Sequence, residues 1–131
     1  SLTMQVILRR LFANHEPEDL QVDKAHSLIG RGEDCHFSPV TPLLSRRHCE
    51  IVIVDNRLFV RDLGSRNGTY VNCERVRGSR ELRTGDVLNV GLAFYVVQMV
   101  NDGETDRTDS RHSNRLTHLF GAWTTPLPSA C

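Results

Sequence analysis

Short apolar, β-branched runs recur throughout this chain, each closed by Gly, Pro, Asn or Asp, and no segment sustains a helical period. Nothing else in the sequence narrows the fold as much. Strands this short cannot bury a core singly, so alternate side chains must pack between two sheets. Strands are expected at residues 5–11, 20–22, 26–29, 49–54, 58–61, 69–71, around 75–76, at 87–90 and at 93–100. Val6 and Leu8 should share one face of the first, with Ile7 on the other. A brief edge strand is expected at 35–37, stopped by Pro39 and Pro42. Asp55-Asn56 reads as a tight hairpin turn. The fold class implied is all-β, a β-sandwich of mainly antiparallel sheets and not a βαβ fold.

With 131 residues, 39% hydrophobic and 24% charged, the chain has the size and balance of one globular domain plus extra sequence. Residues 1–100 are assigned to the sandwich and 101–131 to a polar linker and tail. No apolar run approaches the ~20 residues that span a bilayer. Arg9 and Arg10 break the apolar start, so neither a membrane segment nor a signal peptide is expected. Sixteen basic residues balance sixteen acidic ones, which argues against nucleic acid or a membrane surface as partner. Lys24 is the only lysine, and arginine's planar fork grips phosphate or carboxylate through paired bonds. Codon usage is the bland explanation of that bias, so position has to decide which arginines matter. Cys35, Cys49, Cys73 and Cys131 form no Cys-x-x-Cys pair, and reduced thiols in a cytoplasmic protein are expected. Cys35-His36 and His48-Cys49 raise the question of zinc. Neighbours on extended chain point to opposite sides, however, and no metal or cofactor is expected.

Residues 62–72 read Asp-Leu-Gly-Ser-Arg-Asn-Gly-Thr-Tyr-Val-Asn. Asn67-Gly68 is a strong turn signal, with an apolar strand leaving behind it. A loop this compact is expected to present Ser65, Arg66 and Asn67 from a rigid base. Two further polar clusters, Gly30-Arg31 and Ser45 to His48, also stand at strand ends. Loops at one end of a sandwich converge although they are distant in sequence. Together these three offer guanidinium groups, hydroxyls, an amide and backbone N–H groups, a set suited to phosphate. The parts of an enzyme are missing. There is no paired carboxylate and no Walker loop, and Ser45 and His48 lack both an orienting acid and a nucleophile elbow.

Gly30-Arg31, Ser45-x-x-His48 and Asn67-Gly68-Thr69 with Asn72 resemble, in order and spacing over residues 5–100, the signature of the forkhead-associated (FHA) domain. The resemblance implies two twisted sheets of about eleven strands in all. It also implies non-catalytic binding of phosphothreonine peptides on loops at one end. By position, Arg31 and Ser45 would contact the phosphate, with Arg46 and Arg66 beside them, and Asn67 would hold the peptide backbone. Gly30, His48, Gly68 and Asn72 would shape the loops. Leu43 stands two residues before Ser45, where some members carry an arginine that reads an acidic residue of the peptide. An apolar preference is the corresponding expectation here. Cys73 replaces the glycine common after Asn72, which suggests a different turn type. The implied partner is a phosphothreonine-containing substrate of a serine/threonine kinase. A scaffold domain that binds partners without phosphate is the alternative.

Beyond residue 100 the character changes. Residues 101–114 are polar and charged, as in a linker, and Leu116, Leu119, Phe120 and Trp123 would line one face of a short helix. The apolar cluster could pack on its own sandwich or on a neighbouring molecule, and a phosphorylated Thr105 or Thr108 could occupy the site of the same molecule or of a neighbour, which would give self-association. The acids around those threonines read first as a solvated linker.

Overall fold

Alternation of buried and more exposed side chains governs most strands of this domain. A computed structural model describes residues 4–101. The expected tail helix and tail self-association lie outside those residues. Ten strands are described: β1 (Met4–Leu11), β2 (Glu18–Val22), β3 (His26–Ile29), β4 (Cys49–Val54), β5 (Arg57–Asp62), β6 (Thr69–Val71), β7 (Glu74–Arg75), β8 (Ser79–Leu82), β9 (Val87–Val90) and β10 (Ala93–Asn101). They form a six-stranded sheet, β2-β1-β10-β9-β6-β7, and a four-stranded sheet, β3-β4-β5-β8. All strand pairings are antiparallel, as the all-β sandwich expectation required.

The core follows from the register. Val6 and Leu8 are fully buried while Ile7 between them is not, which is the period-2 pattern of a half-buried strand. Cross-strand pairing sets buried against buried: Leu8 faces Val97, Ile51 faces Val60, Leu58 faces Leu82 and Val71 faces Leu88. Each such side chain contributes roughly 1.5–3 kcal/mol by leaving water. A one-residue slip in any strand would turn its apolar set to solvent, so the core locks the loops' positions as well.

Some expectations are corrected. No edge strand runs over 35–37; Phe37 makes only a single parallel bridge to Ile29. β8 escapes the sequence reading because Ser79, Arg80 and Glu81 precede its one fully buried side chain, Leu82, and leave no apolar alternation to detect. The hairpin at Asp55-Asn56 is present, with φ of 52° and 60° as a type I′ turn demands. Asn72 and Cys73 also share positive φ (51° and 72°), so Cys73 occupies a left-handed position that glycine would fill at lower cost. Cys35 and Cys49 are free thiols, but Cys73 is disulfide-bonded, contrary to the expectation of reduced thiols throughout.

Candidate functional site

The long connection from β3 to β4 folds back on itself. Arg31 N–H donates to the Ser45 carbonyl (3.0 Å), Gly32 N–H to that of Arg46 (2.9 Å) and His48 N–H to that of Ile29 (2.9 Å). These bonds bring Arg31 beside Ser45 and Arg46 although the chain separates them. A side chain at position 30 would collide with the Arg46 carbonyl, so Gly30 permits the close approach. Arg31 Nε then donates to the Leu44 carbonyl at 2.7 Å, which orients the guanidinium. Arg31, Gly32, Glu33, Asp34 and Arg46 line an open depression of about 500 Å³ at this end of the sandwich.

The β5–β6 loop is built around Asp62. Its Oδ2 accepts the N–H groups of Gly64 and Ser65, both at 3.0 Å, as in an Asx turn. Its Oδ1 accepts the hydroxyls of Ser65 (2.6 Å) and Thr69 (2.7 Å). Burial opposes charge on this carboxylate, yet the bonds from Ser65, Thr69 and Gly64 outweigh it and hold the pKa below its ordinary value. Ser65 Oγ also accepts Gly68 N–H (2.9 Å), and Gly68 takes the positive φ of 89° that closes the turn. Ser65 is therefore buried, not presented as the sequence suggested. Arg66 and Asn67 are exposed at the tip.

His48 joins the two loops. It is fully buried; its Nδ1 accepts Ser45 N–H at 3.1 Å and its Nε2–H donates to the Gly68 carbonyl at 2.8 Å. Both partners are satisfied only by the neutral tautomer with its proton on Nε2. Ser45 Oγ accepts Arg66 N–H at 3.0 Å, and Asn67 Nδ2 donates to the Leu43 carbonyl at 3.2 Å. Leu43 itself is half-exposed at a φ of 68°, a left-handed conformation that costs a non-glycine residue roughly 1 kcal/mol or more. Asn72 lies elsewhere. It sits at the far end of β6, where Nδ2 donates to Asp86 Oδ1 (3.0 Å) and Oδ1 accepts Val87 N–H (2.9 Å).

Charge is partitioned across the molecule. Arg9, Arg47, Arg57, Arg61, Arg80 and Arg83 are each paired with a carboxylate. Arg46 and Arg66, at the loop end, have no acidic partner among the described residues, and Arg31 is held only by a carbonyl. Ser45 donates its hydroxyl proton to no acceptor among those residues, although the oxygen accepts from Arg66. The arrangement can hold a compact dianion by charge and by hydrogen bonds. Among the described residues no cluster of His, Cys, Asp and Glu could hold a metal. Burial, the largest influence, pushes the Cys49 thiol up to about 12, which leaves it inert beside His48.

The structure brings Arg31, Ser45, Arg46, Arg66, Asn67, Gly30, His48 and Gly68 together at one end, with Leu43 beside them. Sequence reasoning missed Asp62 as the hub of its loop. An Asp followed three residues later by Ser is a turn signal that could have exposed it. The Arg75 guanidinium also lies against Gly68, because β7 runs back along β6.

A family model of the FHA domain matches residues 27–91. The chain is 37% identical over 79 residues to the FHA domain-containing protein FhaA of Mycobacterium tuberculosis, covering 60% of this chain and 15% of that protein. It is 50% identical over 70 residues to the oxoglutarate dehydrogenase inhibitor of Corynebacterium efficiens, covering 53% of this chain and 49% of the inhibitor. The chain thus spans half or less of these relatives' lengths. A structure solved in a study of phosphothreonine-dependent FHA domain interactions superposes with a TM-score of 0.65 at 32% identity, covering 73% of this chain and 97% of that one. Fold, loop geometry and these likenesses agree: the chain belongs to the FHA domain family.

Proposed function

We propose that this domain is a non-catalytic binding module for phosphothreonine-containing proteins in serine/threonine kinase signalling. The phosphate sits against Arg31 and the Ser45 hydroxyl, with Arg46 and Arg66 adding charge from either side. Asn67 holds the backbone of the bound segment and so sets its direction. Leu43 favours an apolar residue of the ligand near the site. His48, Gly30 and Gly68 act by holding the loops, and Asn72 braces β6 at a distance from the ligand.

The observation that carries this reading is the charge partition. Arg46 and Arg66 on the converging loops meet no carboxylate among the described residues and Arg31 is held by a carbonyl, whereas Arg47 beside them and Arg9, Arg57, Arg61, Arg80 and Arg83 elsewhere are each paired with one. Unpaired guanidinium groups beside an uncommitted hydroxyl match a group with about −1.5 to −2 charge and three acceptor oxygens. The similar chain from a study of phosphothreonine-dependent FHA interactions supports the same ligand. Among the described residues no helix is long and apolar enough to cross a membrane.

Calorimetric titration with one peptide in phosphothreonine, phosphoserine and unmodified forms tests the proposal. Binding should require phosphate and favour phosphothreonine. Equal affinity for the modified and unmodified forms would sink it in favour of the scaffold alternative.

A further inference from the structure

The β6–β7 hairpin returns one more cation to the recognition end. β7 pairs with β6 so that Arg75 lies opposite Tyr70, and Val76 N–H donates to the Thr69 carbonyl at 2.8 Å. This carries Arg75 back from the Asn72-Cys73 turn to the loop that β6 leaves. A Cβ placed on Gly68 would lie 3.0 Å from Arg75 Nε and 3.2 Å from its Cζ, with Tyr70 Cε1 at 3.1 Å. The guanidinium therefore rests on Gly68, one residue beyond the exposed Asn67. That contact helps to explain why Gly68 is buried in an otherwise exposed tip.

Arg75 has no acidic partner. Glu74 beside it is taken by Arg80 at 2.7 Å, and Glu81 further along is shared by Arg57 and Arg83. Among the described residues Arg75 makes no hydrogen bond or ion pair, although it is exposed and packed against a rigid loop. Arg77, in the β7–β8 loop, is likewise exposed and makes no hydrogen bond or ion pair among the described residues. A long cationic side chain held against a rigid turn has given up part of its rotamer freedom already, so an anion meeting it loses less.

We propose that Arg75 is a second anion contact of the recognition surface. It reads a carboxylate or an additional phosphate carried by the bound protein on the Asn67–Gly68 side of the phosphothreonine. The proposal rests on the phosphothreonine reading and adds a class of ligand to it: segments with a second negative group at fixed distance from the first. Asp62 is consumed inside the loop and presents no competing charge to such a group.

Three sets of fluorescent peptides decide the matter: phosphothreonine with neutral flanks, the same peptide with Asp scanned through each flanking position, and the same peptide with a second phosphothreonine scanned likewise. Anisotropy titrations use wild type, Arg75→Gln, Arg75→Lys and Arg77→Gln, with thermal melts confirming folding. At least one acidic or doubly phosphorylated peptide should bind wild type roughly 2- to 10-fold more tightly than the neutral one at low salt. The two scans separate carboxylate from phosphate as the source of charge. Arg75→Gln should abolish the preference and leave the neutral phosphopeptide within about 2-fold of wild type, whereas Arg75→Lys retains part of it. Absence of any preference in wild type, its survival in Arg75→Gln, or its loss in Arg77→Gln instead would overturn the assignment. Failure of the neutral phosphopeptide to outbind its unmodified form would instead strike the underlying reading, so the two failures are distinct.

Discussion

His48 illustrates how one side chain supports a site it does not touch. Its ring spans the β3–β4 and β5–β6 loops by bonding Ser45 N–H and the Gly68 carbonyl. His48→Ala would leave both groups without partners in a buried place and open a cavity, costing about 3–5 kcal/mol in chemical denaturation. Arg31 behaves in the opposite way. Arg31→Ala should lower phosphopeptide affinity by about 1.5–3 kcal/mol in calorimetry, because a charge-assisted bond is lost, while changing the melting temperature little. Asp62 supplies the pH dependence. Its folded pKa lies below the ordinary 3.8, so its contribution to stability is complete above that value and is lost as pH falls toward the folded pKa. The stability gap between wild type and Asp62→Asn should therefore be widest above about pH 4 and shrink on further acidification, as urea melts at a series of pH values would reveal.

Among the elements, the β3–β4 connection is the most exposed to a single change. The Arg46 carbonyl occupies the space where a side chain at position 30 would go, and it also receives Gly32 N–H at 2.9 Å and the Cys35 thiol at 3.2 Å. Gly30→Ala must push these apart. It should cost about 2–4 kcal/mol and weaken phosphopeptide binding by displacing Arg31, a pairing of effects that a melt and a titration on the same sample would record. Strands with alternating apolar residues were readable before the structure; β3, β4, β6 and β9 fall where the pattern put them. β8 was not, since an edge strand with one buried side chain leaves almost no periodic signal. The 35–37 segment failed for the reverse reason: its local composition suits a strand, but its backbone bonds are to Leu28, Gly30 and Gly32 in a folded-back loop.

For the molecule as a whole, the distribution of charge matters more than its sum. A formal net charge of zero suggests no electrostatic preference, yet Arg31, Arg46 and Arg66, none of them paired with a carboxylate among the described residues, gather at the loop end. Phosphopeptide affinity should accordingly fall several-fold between 0.05 and 0.5 M salt, roughly as the Debye length drops from above 10 Å to below 5 Å. Domain stability should change far less, because the exposed arginine pairs contribute little each. Parallel titrations and melts across that salt range would separate the two responses.

Strand alternation, turn residues and the spacing of Gly30-Arg31, Ser45-x-x-His48 and Asn67-Gly68 were enough to reach a sandwich with a phosphate-suited loop end. Those features are local, and local physics writes them into adjacent residues. Pairings across the sheet are not local. That Ser65 turns inward to Asp62, that Asn72 braces the far end of β6, and that Arg75 comes to rest on Gly68 all depend on which strands lie side by side. Sequence distance carries no trace of such neighbours, because strand order is set by burying one shared core, and the loops take the positions that the core leaves them.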